Sequence, residues 1–120
     1  MRANNQEITL TLDMAWDLCL EQWDRVKAQK EAGSKLSVGT LKSRWCRENG
    51  FDGAPGYCFF CEYDKQLRGR ECNKCPGCLV DPKFDCNNKE YHFREKPLDF
   101  HAELVRLNNI RLGLKEFGTI

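Results

Sequence analysis

The sequence predicts a mainly α domain, with helices packed around a small core and an irregular cysteine-rich insert before the last helix. Three observations carry this. Apolar residues recur at steps of three and four over residues 9–32, 36–49 and 97–117, the spacing that gathers them on one helical face. Glycine and proline punctuate the gaps between these segments. Six of the eight cysteines fall between the second and third segments, within residues 57–96. At 120 residues the chain is expected to form one domain, with a core small enough that a covalent or metal staple would add usefully to it.

In the first segment Leu12, Trp16, Cys19, Trp23 and Val26 share one stripe. Thr9, Thr11 or Asp13 can cap its start, and Gly33 offers a stop. Two tryptophans at this spacing read as core, and Cys19 beside them reads as a small buried apolar residue. In the second segment Val38, Leu41 and Trp45 keep the step. Ser37 or Thr40 can cap, and Gly50 suits the left-handed position after the last turn. Lys42, Arg44 and Arg47 read as an ordinary solvated face. In the third segment Pro97 suits a first turn. Phe100, Leu104, Leu107, Ile110, Leu114 and Phe117 then form a stripe close to a heptad seam, which serves a monomer core or a dimer contact.

The insert has its own grammar. Residues 51–57 are rich in breakers. The alternation of Tyr57, Phe59 and Tyr63 predicts a short strand or hairpin around Cys58 and Cys61. A polar turn, residues 64–70, separates Cys58-Phe-Phe-Cys61 from Cys72-Asn-Lys-Cys75. Beyond Leu79 periodicity is lost, and Phe84, Tyr91 and Phe93 are expected to pack over the cysteines.

Cysteine in this amount means disulfides or metal. The polar start of the chain has no apolar core of a secretory signal, so a reducing, cytoplasmic setting and metal are expected. Two C-x-x-C pairs joined by a short loop match a structural zinc site, because thiolate suits zinc and each pair can present two sulfurs to one tetrahedron. The predicted ligands are Cys58, Cys61, Cys72 and Cys75. Cys78, Cys86, Cys46 or His92 can replace one of them or form a second site. The alternative cofactor is an iron–sulfur cluster, since Cys72, Cys75 and Cys78 start a ferredoxin-like run. That run fails where Asp81, and not cysteine, precedes Pro82.

Enzyme motifs are absent: there is no H-E-x-x-H, no phosphate-binding glycine loop and no G-x-S-x-G. A fully thiolate-ligated zinc has no open position for water. The net charge of +1 speaks against a strongly electrostatic nucleic-acid or membrane binder. No apolar run reaches membrane-spanning length. Arg68, Arg70 and Lys74, with Phe59, Phe60 and Tyr63 as stacking residues, keep nucleic-acid binding as the alternative function.

The run Cys58-Phe-Phe-Cys61-Glu-Tyr63, then Cys72-x-x-Cys75-Pro76, a later Cys86 and Tyr91, resembles a pattern in small cysteine-rich proteins of tailed bacteriophages and prophages. It covers about a third of the chain. The resemblance implies life in the cytoplasm of an infected bacterium and a host or defence protein as partner. The expected function is therefore a non-catalytic, zinc-stabilised protein-binding module.

Overall fold

A computed structural model describes residues 1–52, 58–68 and 73–116. The architecture is mainly α. In chain order it comprises β1 (Arg2–Ala3), β2 (Gln6–Glu7), α1 (Leu12–Glu31), α2 (Val38–Glu48), β3 (Phe51–Asp52), α3 (Phe59–Gln66), α4 (Pro76–Val80) and α5 (Pro97–Glu116).

Helix α1 is the hub, packing against α2, α3, α4 and α5. Its start is set by Thr11, whose hydroxyl accepts the Met14 N–H at 3.1 Å, and its end by Gly33 at φ +89°. Such capping removes orphaned donors and lets the chain turn without Cβ strain. Trp16, Cys19, Trp23 and Val26 are buried along the inner face. Ser37 caps α2 in the same way as Thr11 caps α1.

Helix α5 lies along α1, held by Phe100, Leu104 and Leu107. Past Leu107 the predicted stripe departs from the structure. Ile110 is exposed, and Arg111 takes the inner position, 4% exposed. It donates to Asp13 at 2.7 Å and lies over the Trp16 ring at 5.2 Å. The inward turn simply falls at 111, and a long guanidinium can cover a tryptophan while reaching a surface carboxylate. Asp13 also takes Lys115 at 2.6 Å, and Asp24 takes His101 at 2.6 Å. Phe117 lies outside the described residues.

The N-terminus forms structure that hydropathy does not foretell. Arg2 pairs with Glu7 and with Asp52, antiparallel in both cases, in a sheet ordered β2-β1-β3. Asn4 and Asn5, both at positive φ, make the two-residue turn, a conformation asparagine tolerates well.

The insert also differs from expectation. The predicted strand around Cys58 and Cys61 is a helix, α3. Cys58 occupies its cap position and Cys61 lies in its first turn. A step of four puts Phe59 and Tyr63 on one side, which serves a helix as well as alternation serves a strand. Phe59 and Phe60 are buried against Trp45 and Trp16. Gln66 anchors the far end by exchanging two hydrogen bonds with the Leu10 backbone, at 2.8 and 2.7 Å. The second unpredicted helix, α4, starts with Pro76 after Cys75.

Between α4 and α5 the chain runs through turns closed by side chains. Asp81, Asp85, Asn88 and His92 accept backbone N–H groups two residues ahead, the local bonding these residues favour. Phe84 packs against the backbone of Gly77, where a Cβ would stand 2.6 Å from its ring. Gly77→Ala is therefore expected to cost about 1–3 kcal/mol, as overpacking does, measured by denaturant titration.

Candidate metal centre

Two C-x-x-C turns face each other across a cavity. Cys58 starts α3, with Cys61 in its first turn; Cys75 starts α4, with Cys78 in its first turn. In the first turn the Cys58 Sγ accepts the Cys61 N–H at 3.4 Å, and the Phe60 N–H adds to its stabilisation as thiolate. At Cys75 no cap hydrogen bond forms, yet the N–H groups of Gly77 and Cys78 bias its sulfur in the same sense. The two turns are thus built alike.

The cavity has a volume of about 640 Å³. Among the described residues six cysteines line it: Cys19 from α1, Cys58 and Cys61 from α3, Cys75 and Cys78 from α4, and Cys86 from the following loop. Trp23, Phe60, Phe84, Phe93 and Phe100 supply the apolar wall. Their rings are the aromatic core itself, with Trp23 4.7 Å from Phe100 and Phe84 6.4 Å from Phe60. The site is therefore continuous with what holds the helices together.

The thiols interact along a row. Cys58 is held below the usual thiol range, chiefly because the Cys61 side chain hydrogen-bonds to it. Burial pushes Cys75 and Cys19 well up, and Cys58 is near enough to add its repulsion to both. Cys78 adds to Cys75 likewise, and its own sulfur donates to the Phe84 carbonyl at 3.3 Å.

Lys42 enters this cavity from α2 and is 5% exposed. Its ammonium lies over the Trp23 ring at 5.6 Å and the Phe93 ring at 5.7 Å. It favours the thiolate forms of Cys58, Cys46 and Cys19. This overturns the solvated face expected for Lys42. Val38, Leu41, Lys42, Trp45 and Cys46 are all buried, so the inner face of α2 is a wide stripe at i, i+3, i+4, i+7 and i+8. Lys42 could have been placed on it by helical geometry alone.

The sequence-predicted ligands fare as follows. Cys58, Cys61 and Cys75 come together at the cavity; Cys72 lies outside the described residues. Cys78 and Cys86, held as substitutes, stand on the same wall. Cys46 is buried away from it, accepts from Gln22 Nε2 at 3.4 Å, and is raised to about 11, first by burial. His92 turns its Nδ1 to the backbone of Arg94 and Glu95 at 3.2 and 3.4 Å. Cys19, read from the sequence as mere core, is the member that reasoning missed. Among the described residues, no three of the His, Cys, Asp or Glu side chains already stand close enough to share one ion. The donor chemistry itself, soft sulfur on paired turns, suits zinc or iron.

Neither family models, curated proteins nor solved structures match this chain.

Proposed function

We propose that the chain is a small non-catalytic protein-binding module stabilised by zinc, consistent with a phage accessory protein acting on a host or defence protein in the cytoplasm. The observation that carries this reading is the position of the cysteines. They converge on a cavity walled by the core aromatics, so a metal there serves the fold. Thiolate-only ligation leaves no open position for a substrate or an activated water.

Binding then falls to the outer surface. On α5, Leu98, Val105 and Leu112 are all exposed and follow one another at steps of seven, which puts them on one face. A hydrophobic stripe of this kind suits a protein partner better than a polyanion. The nucleic-acid alternative loses support at two of its three stacking residues: Phe59 and Phe60 are buried and have no face to offer a base, while Tyr63 is half-buried. The rival cofactor is an iron–sulfur cluster, which elemental analysis and colour separate from zinc.

The test is a partner reconstituted from purified components. The wild-type chain is expected to form a 1:1 complex, and the Val105→Glu, Leu112→Glu double variant to keep its melting temperature while binding at least tenfold more weakly. Undiminished binding by the variant, or salt-dependent gel shifts with nucleic acid, would overturn the reading.

A further inference from the structure

The cavity offers more donors and more room than one ion uses. A tetrahedral zinc takes four ligands at about 2.3 Å, whereas six cysteines among the described residues line this wall. Its volume of about 640 Å³ is that of roughly twenty waters, at about 30 Å³ each. Cys19 and Cys86 enter from α1 and from the loop after α4, so they are additional to the two C-x-x-C turns.

Charge points the same way. Six thiolates shared by two divalent ions carry a net charge of −2 beside aromatic rings, and burying unbalanced charge is costly. Lys42, nine-tenths buried and lying on the same wall, supplies a further positive charge. Its ammonium faces this cavity over two aromatic rings.

We infer that this cavity holds a polynuclear thiolate centre, with Cys19 and Cys86 as ligands beyond the paired turns and Lys42 as the buried countercharge. The inference rests on the metal-stabilised reading above and deepens it. Two zinc ions and an iron–sulfur cluster share this chemistry, and the experiment separates them.

Native mass spectrometry of the whole chain, purified under reducing and anaerobic conditions, reads the metal carried by the folded species. Elemental analysis and an acid-labile sulfide assay identify it. Two or more metal ions per chain are expected, as zinc without sulfide or as iron with sulfide. Cys86→Ser, in a loop, and Cys19→Ala, in α1, are each expected to lower the metal content by at least one ion or to speed its loss to a chelator at least tenfold. One ion per chain in the wild type would overturn the inference and leave the metal-stabilised reading standing. So would two variants that both match wild-type metal content and release. A wild type free of metal would overturn both.

Discussion

Replacing Cys58 by serine, or stripping the metal with a chelator, is expected to lower the melting temperature by about 20 °C or more. Structural zinc contributes about 10–16 kcal/mol to folding in small zinc peptides, because the ligand set is assembled only in the folded chain. Here a preformed aromatic core retains part of the structure, so the expected loss is smaller. Even about 5 kcal/mol, at about 4 °C per kcal/mol for a domain of this size, gives that shift. The loss concentrates where Cys58 acts, at the junction of α3 with α1 and α4. There its sulfur caps α3 and neighbours the thiols of Cys61, Cys75 and Cys19. An unchanged melting curve for Cys58→Ser, measured by circular dichroism, would show that the cysteines do not staple the fold.

The second large effect is expected at Trp16. It is fully buried, meets Phe60 edge-on at 4.7 Å and lies beneath the Arg111 guanidinium at 5.2 Å. It thus joins α1, α3 and α5. Trp16→Ala removes the largest side chain at that junction and leaves a cavity, a change that costs about 3–5 kcal/mol, or about 12–20 °C. Trp16→Phe retains the ring contact with Phe60 and is expected to lose less than half as much. Equal losses for the two variants would mean that the indole itself, and not the filled volume, is what the junction needs.

The helical frame was legible because its signals are local. Thr11 and Ser37 cap, Gly33 and Gly50 take positive φ, and Trp16, Trp23, Val38, Leu41 and Trp45 point inward at the spacing their sequence positions imply. The rest depends on partners far apart in the chain. The β1–β3 pairing joins Arg2 to Asp52, and nothing in Met-Arg-Ala-Asn-Asn forecasts it. The helix at Phe59–Gln66 was hidden because an aromatic pair beside a cysteine fits alternation and helical spacing equally over so few residues.

The candidate centre was half legible. Paired C-x-x-C spacing is a local signal, so the grouping of Cys58, Cys61 and Cys75 at one cavity is legible in the sequence. Cys19 is thirty-nine positions before Cys58, and only the packing of α1 on α3 and α4 brings it to the same wall. Lys42 was misplaced for a different reason. A lysine on a helix is nearly always solvated, and that expectation outweighs the helical spacing that places it on the inner face with Val38, Leu41, Trp45 and Cys46.

The most direct test of the account is the metal content of the chain as purified under reducing conditions, read together with its absorbance spectrum. Stoichiometric zinc and no visible colour is the predicted result. Iron with visible absorbance would contradict the zinc assignment, and a chain free of metal that melts as it does with a chelator present would contradict the metal-stapled fold itself.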